Sequence, residues 1–468
     1  MSTSPHRQTS PRHTSRRDSR RDARRGRPRR GRVAVRAAVA AALGVLLSVG
    51  LAAGPALASQ RVTPGSFTGY GFDQCVAPTQ KAMHTWLRNS PYWAVGIYIS
   101  GDSRGCRNQP NLTPEWVDRQ LRHDWRLLPI TMGPQASCNP RFPRYKDDHR
   151  ISSDPHRTYR RARAQGHREA AKTVDAAQAL GIAQGSTLWY DLEAFDIGRR
   201  RCRESALNFL SAWTTKLHKL GYKSGVYSSG ASGIKALDDV RVQDPGEIAM
   251  PDQLWVADWN DQATVESRYV RPDAWDAHQR VHQYRGGHNE TYGGVTINID
   301  NNFLDVGRGS VAPREPQHCG GVEIDFDNYR PVHLGDQSDL VRAAQCLLTE
   351  QHAYDGPIDG NFDEAFGAAV KTFRADHDMS AWPNMSRRTW MVLLSQGPTP
   401  ILKYGAAQAA VRRLQRTLDA AHTVNLPITG VFAQETTDAV EAYQADHDLP
   451  VTGVMTHRTW KLLRSGDR

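Results

Sequence analysis

The run TLWYDLE, residues 187–193, is apolar and aromatic, and it ends on two acids one position apart. Helical patterns flank it, at Pro155–Leu180 before and Glu204–Leu220 after. A short apolar run between helical stretches reads as a buried strand of an alternating α/β fold. Working outward, seven further runs have the same character: Phe67–Asp73, Ala94–Ile99, Arg126–Met132, Lys223–Tyr227, Gln253–Asp258, Arg280–Tyr284 and Val295–Asp300. Two more helical patterns fall between them, at Pro78–Arg88 and Pro114–His123. Eight strands with intervening helices predict an α/β fold of the (β/α)8, TIM-like barrel type. Short apolar runs also suit a doubly wound sheet; the strand count decides for the barrel.

The acids fall at the ends of these runs. Asp73 closes the first, Asp191 and Glu193 the fourth, Asp258 the sixth and Asp300 the eighth. Barrels of this type place their active sites at the C-terminal strand ends. Positions i and i+2 of a strand share a face, so Asp191 and Glu193 are expected to point together into the barrel mouth. Like charges held close raise one pKa. A protonated acid beside an ionised one is what glycosidic cleavage requires. The competing reading of the same pattern makes these acids helix caps and loop ligands.

The C-terminal third is a duplication at a fixed offset of 70 residues. Residues 331–398 lie over 401–468 without a gap. Gly335 meets Gly405, Gln345 meets Gln415, Ala375-Asp376-His377-Asp378 meets Ala445-Asp446-His447-Asp448, and Arg388-Thr389-Trp390 meets Arg458-Thr459-Trp460. Such a period is read first because it fixes architecture. Leu340, Val341, Ala344, Leu347 and Leu348 recur at helical spacing, and a second helix carries Phe366, Val370 and Phe373. Each unit is predicted to be a small three-helix module with Trp390 or Trp460 in its core. Neither offers a facing acid pair.

Two resemblances sharpen this reading. The segments GPIDGNFDEAFGAAVKTFRADHD (356–378) and LPITGVFAQETTDAVEAYQADHDLPVTG (426–453) resemble the peptidoglycan-binding domain 1 family. That resemblance implies anchoring to the cell wall; a spacer without affinity is the alternative. The second unit fits better, with Thr429 in place of the usual Asp. The first carries Trp382-Pro383-Asn384 where Val451-Thr452-Gly453 stands in its partner.

In the barrel region, YDLEAF (190–195), GVYSS (225–229), LWVADWN (254–260), VHQY (281–284) and VTINIDNNFLD (295–305) resemble strand ends of family 25 glycoside hydrolases, the lysozymes that cut peptidoglycan between its sugars. GYGFDQC (69–75), AVGIYISG (94–101) and HNETYGGVTINID (288–300) add a closer likeness to a glycoside-hydrolase-like family of unassigned function in secreted actinobacterial proteins. By position, the resemblance implies Glu193 as general acid. Asp191 and Asp73 would hold or stabilise the reacting sugar, and Asp300 would line the same pocket. Tyr227, Trp255, Asp258, Gln283 and Tyr284 would bind the sugar, although Trp255 suits a core equally. The opening Gly71-Phe72-Asp73-Gln74-Cys75 departs from the lysozyme pattern, which has Ser and His soon after the Asp. A retained fold with altered or lost catalysis therefore stays open.

The first 58 residues differ from the rest. Residues 1–36 hold 13 Arg against Asp18 and Asp22, an apolar run spans Ala37–Leu51, and Ala56-Leu57-Ala58 supplies small residues for a cut. That order predicts a signal peptide over 1–58; an uncleaved anchor is the alternative, against which the short apolar run argues. Arg16-Arg17 hints at twin-arginine export. Without this segment basic and acidic residues balance at 47 each, so no nucleic-acid footprint is implied. Arg outnumbers Lys 50 to 10, which suits a GC-rich, actinobacterial genome.

Six cysteines in an exported chain predict disulfides. Cys319 and Cys346 stand alone in the C-terminal part and are expected to pair. Cys75, Cys106, Cys138 and Cys202 allow three pairings, and some free thiols would be the alternative. No CxxC, no H-E-x-x-H and no G-x-S-x-G elbow is present, so no metal and no cofactor is expected.

The sequence thus predicts a signal peptide (1–58), a barrel (59–307), a linker (308–330) and two repeats (331–398 and 401–468). The expected protein is a secreted, extracellular, cell-wall-associated monomer, without a stable membrane anchor after cleavage. Its expected function is hydrolysis of the β-1,4 links of peptidoglycan glycan strands. A non-catalytic glycan-binding barrel and a hydrolase of another surface polysaccharide are the alternatives.

Overall fold

A computed structural model describes residues 61–422 and 424–467; the expected signal peptide lies outside the described residues. Eight strands close a barrel in sequence order. They are β1 (Phe67–Asp73), β2 (Ala94–Ser100), β3 (Arg126–Thr131), β4 (Thr187–Asp191), β5 (Lys223–Ser229), β6 (Gln253–Ala257), β7 (Gln279–Tyr292) and β8 (Val295–Val306). Helices follow the first five: α1 (Gln80–Asn89), α2 (Pro114–Arg122), α3 (His156–Ala179), α4 (Arg200–Lys219) and α5 (Lys235–Gln243). A π-turn, Gly230–Ile234, leads from β5 into α5.

The helix starts follow ordinary rules. Thr113 accepts a hydrogen bond from the Trp116 amide at 3.2 Å, and Pro114 follows it at the first helical position, where its missing N–H costs nothing. The outer face is aromatic: Phe72 packs on Trp86, Tyr92 and Trp125, and Tyr190 packs between Phe209 and Trp213. The barrel interior is filled rather than open, as a narrow barrel must be. The rings of Trp189 and Trp255 meet at 5.5 Å and both are buried.

The alternation of strand and helix stops after α5. No helix separates β6 from β7, and β7 and β8 form a long hairpin. β8 runs antiparallel to both β7 and β1, whereas β1 to β7 pair in parallel. Asp300 therefore does not close β8. The strand continues to Val306, and Asp300 reaches the mouth because β8 runs back down past the end of β1, with Asp300 paired to Asp73. β4 is also shorter than expected and ends at Asp191.

Three disulfides are formed: Cys75–Cys106, Cys138–Cys202 and Cys319–Cys346. The first two tie the loops after β1 and β3 to neighbouring segments beside the mouth.

The C-terminal part contains two sets of three helices: α6 (Asp339–Glu350), α7 (Glu364–Asp376) and α8 (Arg387–Ser395), then α9 (Ala409–His422), α10 (Gln434–Asp446) and α11 (His457–Ser465). They share one hydrophobic core. The 70-residue offset holds in three dimensions. Val332 bridges Met385 as Leu402 bridges Met455. Trp390 donates to the Arg330 carbonyl at 3.1 Å as Trp460 donates to that of Pro400 at 2.9 Å. Gln345 accepts from the Gly360 amide at 2.8 Å as Gln415 accepts from that of Gly430 at 3.0 Å. Thr429 takes the place of Asp359 as the acceptor for this glutamine.

The two units differ at their second turn. Gln444 holds the amides of Thr452 and Gly453, at 2.8 and 3.1 Å. In the first unit the equivalent residue is Arg374, which donates to Ser380, Asn384, Ser386 and Thr389. The Trp382-Pro383-Asn384 departure is thus accompanied by a different support beneath it.

The expected linker is packed against the helices. Arg416 pairs with Glu315 and Asp325, and Ile324 and Tyr329 are buried in the helical core. The second unit docks directly on the barrel. Lys403 is 1% exposed; its Nζ donates to the Leu87 and Ser90 carbonyls at 3.0 and 2.9 Å and lies over the Trp93 and Trp125 rings. Leu87 and Ser90 stand at the C-terminal end of α1, where carbonyls lack helical partners and need donors; burial lowers the Lys403 pKa well below its usual value. Gly405, at φ +88, lets the chain pass: a Cβ there would sit 2.4 Å from the Thr68 carbonyl oxygen. Among the described residues no helix is long and apolar enough to cross a membrane.

Candidate active site

A cavity of about 200 Å³ opens at the C-terminal end of β1 and β4. Asp73, Asp191, Glu193 and Asp300 all line it, together with Gln74, Tyr98 and Arg144. Two wider cavities lie elsewhere. One, of about 470 Å³, lies at the N-terminal ends of β1 and β3 against the second repeat. The other, of about 610 Å³, is an open groove over the loop 258–268. Neither brings acids from several strand ends together, so the chemistry is assigned to the smaller one.

Asp73 sits at its base, buried. Its Oδ2 accepts from Asn302 Nδ2 at 2.8 Å and from Gln283 Nε2 at 3.0 Å. Both donors are fixed in turn. Trp255 Nε1 donates to Asn302 Oδ1 at 2.7 Å, while Tyr227 Oη and Trp259 Nε1 both donate to Gln283 Oε1 at 3.0 Å. Burial pushes the Asp73 carboxyl up, but Asn302, Gln283 and Asp300 all hydrogen-bond to its ionised form. Asp300 is pushed up to about 8, first by burial, then by the Asp73 charge and the hydrogen bond it shares with Asp73. The proton of this pair therefore resides on Asp300, which donates it to Asp73.

Asp191 is 2% exposed. Tyr98 Oη donates to its Oδ2 at 3.2 Å, and its Oδ1 is buried without a hydrogen-bond partner. Burial raises its pKa well above the usual carboxylate range. The neighbouring Glu193 adds to this, and the Tyr98 hydrogen bond opposes it. Glu193 lies beyond the end of β4, so the two acids do not share a strand face. A loop brings them together instead. Buried Gln135 accepts from the Glu193 amide at 2.9 Å and donates to the Asp191 carbonyl at 2.8 Å. On the far side, Ser232 in the π-turn accepts from the Phe195 amide at 2.9 Å and donates to its carbonyl at 2.7 Å. π-turns are frequent beside functional sites, and here one braces the acid-bearing loop.

Three expected sugar contacts fall elsewhere. Trp255 is 1% exposed and lies under Asn302, so it offers no face to a ligand; it supports the floor of the site. Asp258 turns away to accept from Ser267 Oγ at 2.9 Å, as an acid at the start of a long loop can. Tyr284 points off the barrel: its ring lies 6.3 Å from that of His282, and the groups that act on its hydroxyl are Tyr70, Glu290 and Tyr292 rather than the mouth acids. Tyr227 and Gln283 do stand with the acids. Trp259, 66% exposed and hydrogen-bonded to Gln283, is the open aromatic face at this end.

Several site residues escaped the sequence reading. Asn302 follows Asp300 by two positions and shares its face, so the strand period could have found it. Tyr98 lies on a strand of the same kind. Gln135, Ser232 and Arg144 sit in loops and carry no pattern that marks them.

Among the described residues, the side chains nearest to a metal-ligand set are Cys319, Cys346 and Glu350. Both sulfurs are bonded to each other and offer no thiolate.

A closed barrel with clustered carboxyls at its C-terminal end, followed by helical modules, defines the glycoside-hydrolase-like class. Residues 84–304 match the family described as the Rv2525c-like, glycoside hydrolase-like domain, and residues 407–463 match the peptidoglycan binding domain. The chain belongs to the same family as an uncharacterized protein encoded in the bpoA1 3′ region of Kitasatospora aureofaciens; the two are 35% identical over 101 residues, which cover 20% of this chain and 82% of the relative. Among solved structures, the Tat-secreted protein Rv2525c of Mycobacterium tuberculosis is similar at 12% identity, over 51% of this chain and 95% of that one, with a TM-score of 0.33. A family 25 glycosyl hydrolase from Bacillus anthracis is similar at 14% identity, over 51% and 89%, with a TM-score of 0.31. The two family matches, glycoside-hydrolase-like and peptidoglycan-binding, support a function that concerns cell-wall glycan. The three disulfides and the wall-binding domain are consistent with an extracellular location.

Proposed function

We propose that this protein is a secreted, monomeric hydrolase that is held on the cell wall and cleaves the β-1,4 links of peptidoglycan glycan strands. The barrel is residues 59–307, and both repeats, 331–398 and 401–468, grip the wall. The observation that carries this reading is the pairing of Asp191 with Glu193 beside the Asp73–Asp300 pair in one cavity. Acid and base work at a glycosidic bond needs carboxyls in different protonation states, and burial favours a proton on Asp191 and on Asp300. Buried Asp191 holds the proton of its pair in the resting site; Glu193, the more exposed member, relays that proton to the leaving oxygen. Ionised Asp73 faces the positive charge that develops on the sugar, and protonated Asp300 keeps Asp73 in place. Tyr227, Gln283 and Trp259 position the ring. Tethering by the repeats raises the local concentration of substrate without adding catalytic contacts.

A second reading has specific support. The cavity, about 200 Å³, is smaller than the roughly 300–1,000 Å³ usual for ligand pockets. That suits a barrel that grips one sugar without cleaving its link. Incubation with purified peptidoglycan separates the two readings: a hydrolase generates new reducing sugar ends, and a lectin-like barrel only sediments with the wall.

A further inference from the structure

Arg144 is the one cation among the residues that line the acidic cavity. Its guanidinium makes no direct hydrogen bond or ion pair among the described residues; it lies over the Phe142 ring at 5.1 Å, and its charge acts on Asp191 through space. The backbone beneath it is nevertheless fixed. Buried Asp148 accepts from the amides of Arg144 and Tyr145 at 2.8 and 2.9 Å, and Arg107 pairs with the same carboxylate at 2.8 Å. Gly105 makes room for the head group, since a Cβ there would sit 2.7 Å from Arg144 Nη1. The Cys75–Cys106 disulfide holds that wall. Across the cavity, Asp191 Oδ1 is buried and lacks a partner. Two groups without a direct partner thus face one space: a buried oxygen of the Asp191 carboxyl, and a planar cation that makes no ion pair at contact distance.

A neutral sugar answers only the first of these. Its hydroxyls can reach Asp191, but they leave the guanidinium without the planar anion it matches. We infer that Arg144 reads a carboxylate carried by the sugar bound beside Asp191 and Glu193, so that the site selects acidic sugars. This rests on the glycan reading above and names the class of sugar.

Calorimetric titration of the full chain with three soluble preparations tests it. They are peptide-free wall glycan with free lactyl carboxylates, the same glycan with those carboxylates reduced to alcohols, and peptide-bearing wall fragments. The wild type is expected to bind the acidic glycan at least about tenfold more tightly than the reduced one, the scale of one charge-assisted contact. Arg144→Gln should bind both alike, at the affinity of the reduced glycan, and Arg144→Lys should recover part of the preference. Equal binding of both glycans by the wild type, or an undiminished preference in Arg144→Gln, overturns the inference. Preference for the peptide-bearing fragments alone also overturns it, by moving the carboxylate to the peptide. Binding of none of the three refutes the glycan reading itself.

Discussion

Asp300 and Asp73 face each other across the antiparallel β1–β8 ladder and share one proton, carried by Asp300. An acid with a folded pKa of about 8 and an unfolded value of about 3.9 binds more protons folded than unfolded throughout that window. Its contribution to stability is therefore present at low pH and is lost as pH rises toward about 8. Asp73 and Asp191, also pushed up by burial, add slopes of the same sign. Asp300→Asn keeps a donor to Asp73 but removes the titration. Melting temperature measured from mildly acidic to mildly alkaline pH should fall for the wild type and fall less steeply for the variant.

Gln135 is predicted to matter as much to the site as an acid does, although it touches no substrate. It bridges the Glu193 amide and the Asp191 carbonyl. Gln135→Ala leaves both buried groups unpaired, at about 1–3 kcal/mol each. Glycan binding should weaken and amide exchange over 191–195 should accelerate, while exchange in the C-terminal helices stays unchanged. Unchanged protection at Glu193 would remove Gln135 from this role.

The second repeat is fixed to the barrel by Lys403 at the end of α1. Lys403→Met preserves bulk but strands the Leu87 and Ser90 carbonyls. A loss of about 1–3 kcal/mol in docking is expected, seen as new protease cleavage around residues 398–408 in an otherwise folded chain. A protease-resistant variant would show that packing alone holds the contact.

The two repeats differ in a simple capping rule. Asp363 accepts from the Phe366 amide at 2.7 Å at the start of α7, whereas Ala433, in the same extended conformation, caps α10 with nothing. Ala433→Asp should stabilise the second repeat by about 0.5–2 kcal/mol, measured by denaturant unfolding or by slower exchange of the first α10 amides.

Much of this architecture is legible in the sequence because periodicity and turn chemistry are local. Phe67–Asp73 was readable to the residue, and the 70-residue offset fixed both helical sets. The sites of failure are equally physical. Nothing local states that β8 turns back, so Asp300 looks like a strand end when it lies in mid-strand. An aromatic strand residue such as Trp255 faces inward or outward according to register, which depends on pairing far along the chain. Arg144 and Gln135 come from loops whose position depends on disulfides and on buried polar partners, and residue type alone does not mark them.

The central claim is that Glu193 gives up a proton to a glycosidic oxygen. Its most direct test is the release of new reducing ends from purified peptidoglycan by wild type and by Glu193→Gln, with wall binding measured in parallel. The account predicts release by the wild type, a fall of about a hundredfold or more in the variant, and equal sedimentation of both with the wall. Release by Glu193→Gln at the wild-type rate, or no release by the wild type, would contradict it.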